Sequence, residues 1–267
     1  MEKLELLGYL ASALIGVSLG LIGGGGSILT VPVLVYLFAI EPVLATAYSL
    51  FIVGVTALVG GIRSTFTKQV DFRTAVVFAI PSFIAVYLTR RFIIPAIPEV
   101  LFNVGSFIVT RDVGIMVFFA IIMLAAAYSM IRDKHQEEKE SAIRYNYPLI
   151  ALEGTVVGVL TGIVGAGGGF LIIPALVLLA RLPMKKAVGT SLLIIAAKSL
   201  IGFLGDVGSG QIINFYFLFI VSAIAIAGIF AGIYLSRFIS GNSLKKGFGW
   251  FVVVMAIAIL FSEFYGG

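Results

Sequence analysis

The chain has 267 residues, 60% of them hydrophobic and only 12% charged, with one His, no Cys and a formal net charge of +5. A soluble domain carries about twice that charged fraction, and the mean hydropathy is +1.15. Together these exclude a soluble enzyme or a nucleic-acid-binding domain as the body of the chain and read as a polytopic helical membrane protein.

Residues 6–40, 42–62, 113–131, 154–180, 207–236 and 247–262 contain no Asp, Glu, Lys or Arg, and a helix needs roughly 20 apolar residues to cross a bilayer. In chain order, the first apolar block spans 4–38 and is interrupted by Gly23-Gly24-Gly25-Gly26. Lys3 ahead of this run resembles a signal peptide. However, the run leads straight into the glycine motif without a convincing cleavage site, so it reads as a first membrane helix. Blocks at 43–62, 72–92 and 113–131 follow; residues 93–112, with Pro95, Pro98 and Glu99, read as an interfacial excursion. The polar stretch 132–146 is the natural linker. A second set of blocks covers 147–180, interrupted by Gly165-Ala166-Gly167-Gly168-Gly169, then 186–204, 214–237 and 246–264. The expected fold is an all-α membrane protein of about eight apolar helical blocks: a first repeat over 1–131, a cytoplasmic linker over 132–146 and a second repeat over 147–267.

The two sets are one unit written twice. An ungapped offset of 142 aligns 16–51 with 158–193, and 14 of the 36 positions are identical. Among them are Gly16/Gly158, Gly20/Gly162, Gly23/Gly165, Pro32/Pro174 and Ser49/Ser191. Further on, Gln69-Val70-Asp71-Phe72 still resembles Gln211-Ile212-Ile213-Asn214-Phe215. The limb after each break, Ser27 to Phe38 or Phe170 to Leu179, is too short for a comfortable crossing at about 1.5 Å per residue, so a half-helix or re-entrant limb is expected.

Loop charges select a topology. Four crossings per half divide the basic residues evenly. An odd number per half, with the limbs turning back, puts 13 Lys and Arg on one side (Arg63, Lys68, Arg73, Arg132, Lys134, Lys139, Arg144, Arg181, Lys185, Lys186, Arg237, Lys245 and Lys246). The other side keeps only Lys3, Arg90, Arg91 and Arg111. Basic loops are cytoplasmic, so both termini are expected outside. An odd count also makes the halves inverted repeats, a common transporter plan with its solute site at the repeat interface.

Unwound backbone survives at membrane depth only where protein buries it or a polar cavity adjoins it. A helix starting after a break directs free N–H groups and a positive dipole end into the break, and glycine lets a ligand approach the backbone. Gly24, Gly25, Gly26 and Ser27, with Ala166, Gly167, Gly168 and Gly169, therefore form a candidate anion site; tight packing through small residues is the structural alternative. Ser49 and Ser191 are equivalent hydroxyls that can donate to an anion or bond their own helix turn. Lys198 sits about 18 Å along a helix from Lys186, where an ionisable residue faces a cavity or a partner. It can attract an anion or pair with Glu153. An enzyme is not expected: His135 lies in the charged linker, and the sequence has no metal cluster, no P-loop lysine and no other cofactor motif.

These features together resemble the sulfite exporter TauE/SafE family, also called the 4-toluene sulfonate uptake permease family. The resemblance rests on the duplicated glycine segments leading to Pro32 and Pro174 and on Ala187-Val188-Gly189-Thr190-Ser191. The first half departs from this with Ala47-Tyr48 in place of Gly189-Thr190. The resemblance implies about eight spans, an inner or plasma membrane location and a sulfur-containing oxyanion, such as sulfite or an organosulfonate, as substrate. The expected function is a secondary transporter, an exporter, working by alternating access at the breaks, with a proton as the coupling ion. A passive anion channel or a non-transporting scaffold is the alternative.

Overall fold

A computed structural model describes residues 2–265 except 25, 41, 94–95, 97, 99, 105–106, 133–146, 165–168, 181 and 208–212. Helix α1 (Glu2–Ile22) leads to the first break, after which α2 (Gly26–Pro32) begins. Then come α3 (Pro42–Phe66), α4 (Phe72–Leu88), strands β1 (Val100–Val104) and β2 (Phe107–Thr110), and α5 (Arg111–Arg132). The second set is α6 (Tyr147–Val164), α7 (Gly169–Pro174), α8 (Met184–Val207), α9 (Phe215–Leu235) and α10 (Gly241–Tyr265). The described helices thus start and stop around both glycine runs, with Gly25 and Ala166, Gly167 and Gly168 outside the described residues, as is the linker beyond Arg132.

Five of the described helices, α1, α3, α8, α9 and α10, contain stretches long and apolar enough to cross a membrane; α4 and α6 are shorter apolar helices. The structure is otherwise helical, as expected of an all-α membrane protein; the one addition among the described residues is the antiparallel hairpin of β1 and β2. It falls in the excursion at 93–112, whose Val, Phe and Ile content suits strands and which the prolines keep out of the helical pattern.

Proline explains the limbs. Pro32 and Pro174 each end a short α-helix and are followed by a π-helical turn, Val33–Leu37 and Ala175–Leu179. A proline cannot donate the usual helical hydrogen bond and its ring crowds the preceding turn; the wider π turn relieves both. The exits match residue for residue. The Phe38 N–H donates to the Val33 carbonyl at 3.3 Å and the Ala180 N–H to that of Ala175 at 3.1 Å. Ile40 and Leu182 likewise donate to Leu34 and Leu176 at 3.0 and 2.9 Å.

The first limb turns back along α1. Gly26 lies against Ile15 and Leu19, while the Phe38 ring sits over Gly8 and edge-on to Tyr9, 5.2 Å between centroids. Phe38 also meets Phe217 of α9, which tilts against Tyr48 of α3, so one aromatic cluster fastens α1, the limb, α3 and α9 at this end.

The dominant helix pairings exchange the two sets: α1 with α9, α4 with α6, α3 with α8 and α5 with α10. Glycines bring the backbones together. Gly16 and Gly20 face the carbonyls of Ala225 and Ile229, and Gly228 and Gly232 face those of Ala13 and Val17, so α1 and α9 are parallel and joined by two small-xxx-small stripes. Gly154 and Gly158 lie on the Phe78 and Ser82 carbonyls, which makes α6 and α4 parallel. Gly54 lies against Leu200 and Gly61 against Leu193, so α3 and α8 are antiparallel.

A Cβ on Gly16 would meet the Ala225 carbonyl oxygen at 1.9 Å, and one on Gly228 the Ala13 carbonyl oxygen at 2.2 Å, whereas Gly247 has open space. Gly16→Ala and Gly228→Ala are expected to destabilise the protein by about 1–3 kcal/mol through overpacking. Both should melt at a lower temperature in detergent; Gly247→Ala should not.

Candidate functional site

The breaks touch each other. Gly23 has φ +71°, a left-handed conformation that favours glycine, and its N–H donates to the Leu19 carbonyl at 2.7 Å. This turn aims the chain at α8: a Cβ on Gly23 would lie 2.6 Å from Ser191 Oγ and 3.3 Å from Val188 Cα. A Cβ on Gly169, at the start of α7, would lie 2.9 Å from Ser27 Oγ, 3.1 Å from Gly24 Cα and 2.8 Å from Ile195 Cδ1. Ser27 and Gly169 are equivalent under the 142-residue offset, so the two short helices begin against one another at matching residues.

A stripe on α8 backs this contact. Val188 and Ser191 adjoin Gly23, Ile195 adjoins Gly169, and Lys198 continues the row at helical spacing. Lys198 is 9% exposed, and its Nζ donates to Thr161 Oγ1 of α6 at 2.5 Å. From the α3–α8 register, Lys198 falls level with Thr56, its equivalent in the first half. Thr56 is buried and its hydroxyl has no partner among the described residues. The alternative pairing of Lys198 with Glu153 is not hydrogen-bonded: neither Glu153 carboxyl oxygen has a partner among the described residues.

The hydroxyls are engaged locally. Ser27 Oγ donates to the Gly24 carbonyl at 2.7 Å, Thr30 Oγ1 to the Gly26 carbonyl at 3.0 Å, and Ser191 Oγ to the Val188 carbonyl at 2.8 Å. Each must rotate to donate to a ligand. Ser49 is buried but does not join Ser191. The antiparallel register puts them 14 residues apart along the pair, or roughly 20 Å by helical rise. The structure therefore brings together Gly24, Gly26, Ser27, Gly169 and Ser191, with Lys198 two turns along α8, and leaves Ser49 toward the opposite end.

The neighbours of those serines have a role that repetition hinted at. Asp71 caps α4, its Oδ1 accepting the Thr74 N–H at 2.8 Å, and its own N–H donates to Thr190 Oγ1 at 3.0 Å. Asn214 caps α9, its Oδ1 accepting the Phe217 N–H at 3.1 Å, and its own N–H donates to Tyr48 Oη at 2.7 Å. Tyr48 and Thr190 are equivalent positions, so each tethers the start of a helix from the other set. The unlike residues perform the same task with different reach.

Beyond Gly23, a cavity of about 20 Å³ opens among Ser64, Gln69, Lys185, Val188, Ser236 and Leu244, room for one water. It gathers the basic ends of α3, α8, α9 and α10, and shares Val188 with the break. The arrangement can attract an anion to this end and offers it polar groups next to the break.

Comparison with known proteins agrees with this architecture. The profile of the sulfite exporter TauE/SafE family matches residues 8–259. A probable membrane transporter protein of Xylella fastidiosa is 29% identical over 94% of this chain and 92% of its own. YunE of Bacillus subtilis, also named a probable membrane transporter protein, is 31% identical over 75% of this chain and 77% of its own. A similar probable transporter of Methanocaldococcus jannaschii is 27% identical over 80% and 78%. With a match spanning nearly its whole length, the chain is a multi-pass integral membrane protein and belongs to the sulfite exporter TauE/SafE family of membrane transporters.

Proposed function

We propose that the chain is a secondary transporter that exports a small sulfur-containing oxyanion, sulfite or an organosulfonate, by alternating access around the paired breaks. The observation that carries this reading is the meeting of equivalent residues, Ser27 with Gly169, beneath the level where Thr56 faces Lys198. Two helix starts converge there and favour negative charge. Lys198 adds a single cation, shared with Thr161. Gly25, Ala166, Gly167 and Gly168 complete the proposed binding backbone, and Ser49 serves the path on the far side rather than the same contact.

In this reading, residues 1–131 and 147–267 are inverted repeats joined by a cytoplasmic linker over 132–146. The antiparallel equivalents α3 and α8 and the exchanged parallel pairs support it. So does the first limb's return along α1, which supplies the additional pass that an odd count per half requires. The gathering of the ends of α3, α8, α9 and α10, with their Lys and Arg residues, around one cavity supports a cytoplasmic assignment of that end. Contact between the breaks closes this conformation at its centre, which favours rocking of the halves over a static channel.

Purified protein should be stabilised by sulfite or sulfoacetate and not by the same concentration of chloride; ligand at 100 times its Kd adds about 2.7 kcal/mol. Flux into proteoliposomes should saturate and follow the imposed gradient. Gly169→Ala should lower that flux per molecule of folded protein, because its Cβ enters the contact with Ser27 and Gly24; a lower melting temperature is expected alongside. Non-saturating flux would favour the channel, and absence of flux for every sulfur oxyanion the scaffold.

Single cysteines in this cysteine-free chain test the orientation. Residue 3 should label from outside and residue 240 should not; the reverse pattern refutes the cytoplasmic assignment of the basic end.

Lys198→Met should lower flux at least tenfold while the protein still inserts, about 1.4 kcal/mol of lost stabilisation, and Lys198→Arg should retain part of it. Unchanged affinity and flux in the Met variant would confine Lys198 to its bond with Thr161.

A further inference from the structure

Glu153 is 4% exposed in α6, and neither of its carboxyl oxygens has a hydrogen-bond partner among the described residues. Its neighbour Gly154 rests on the Phe78 carbonyl, so Glu153 stands level with the buried face of α4. One turn to either side of Phe78 on that face are Thr74 and Ser82, both buried, both with hydroxyls lacking a partner among the described residues. An ionised carboxylate in such a place is far more costly than a neutral acid. Structural carboxylates inside membrane proteins are paired; an unpaired one marks an ion or proton path.

Among the described residues, no charged group of the surrounding elements is hydrogen-bonded to Glu153. Those on α4 are Arg73, which is exposed, and the cap residue Asp71, whose carboxylate accepts the Thr74 N–H. The π turn after α4 carries Arg90 and Arg91, about 18–20 Å along α4 from Phe78 at helical rise. The ends of α5 carry Arg111, Asp112 and Arg132, and α7 with its π turn carries no charge. Lys198 reaches α6 at Thr161, eight residues or about 12 Å further along the helix.

We propose that Glu153 binds the proton whose movement is coupled to that of the anion. The proposal rests on the transporter reading above and assigns its coupling site. The carboxylate takes one proton from water when its side of the bundle opens, carries it as a neutral acid while the breaks are closed, and releases it to water at the opposite face. The offset equivalent of Glu153 is Ala11, so only one half carries this group. Thr74 and Asp71 lead from it toward the basic end of the molecule.

Two measurements on the full-length protein test this. Infrared difference spectra of wild type and Glu153→Gln should differ by the carbonyl stretch of a protonated carboxyl, present in the wild type, lost in the variant, and perturbed by added sulfite. In proteoliposomes, Glu153→Gln should lose at least tenfold of the sulfite flux driven by a pH gradient but retain sulfite counterflow at equal pH, which needs no net proton movement. Absence of the carboxyl band, full pH-driven flux in the variant, or loss of counterflow along with net flux would each overturn the assignment. If no anion moves in the wild type, the transporter reading fails instead, while the infrared band still decides whether Glu153 holds a proton.

Discussion

Polypeptide that leaves the helical ladder inside a bilayer must find its hydrogen bonds in the protein; the first break finds them within its own turn, and Gly169 at the start of α7 packs against it. Gly23 keeps a bond to Leu19, and both the N–H and the hydroxyl of Ser27 turn to the Gly24 carbonyl. Side chains are excluded because Gly169 is pressed onto Gly24 and Ser27, and Gly23 onto Ser191. The returning limb, the prolines and the π turns all follow from making this central contact and leaving it within a short length of chain.

Exchange of partners between the two sets of helices places the contact at the middle of the molecule. Helices α1 and α6 pack on α9 and α4, across the sets, through bare glycine backbone, which fixes the approach to each break from outside. Helices α3 and α8 pack in a register that sets Thr56 level with Lys198, and the α8 face at Val188, Ser191 and Ile195 adjoins Gly23 and Gly169. The same register gives the centre its asymmetry: a threonine hydroxyl on one side, a lysine on the other.

Much of this was legible in the residues. Glycine runs each followed by a proline disclosed the breaks, and the offset of 142 disclosed which residues correspond. Correspondence is not contact, however. Equivalent residues meet only close to the proposed two-fold axis, as Ser27 and Gly169 do; Ser49 and Ser191 lie far from it and are held apart. The two serines, equivalent in sequence, stand in separate surroundings. The Tyr48/Thr190 difference hid a shared tether because an aromatic and a short hydroxyl side chain look unrelated until their partners are known. The β-hairpin lay in a stretch whose prolines masked its strand character. The α8 stripe at 188, 191, 195 and 198 was readable from helical spacing, but only the fold identified what it faces.

The exchanged pairing also bears on how the molecule is made. Helix α1 leaves the ribosome well before α9, which covers its glycine face from more than 200 residues later in the chain. Until then that face can hold only lipid or a temporary neighbour, and the break beyond it lacks its counterpart in α7. Assembly is therefore a late, long-range event rather than a succession of hairpins, with the slow kinetics that such connectivity brings. A synthesis that stops after the first half leaves a set of inserted helices whose main packing surfaces await partners from the second.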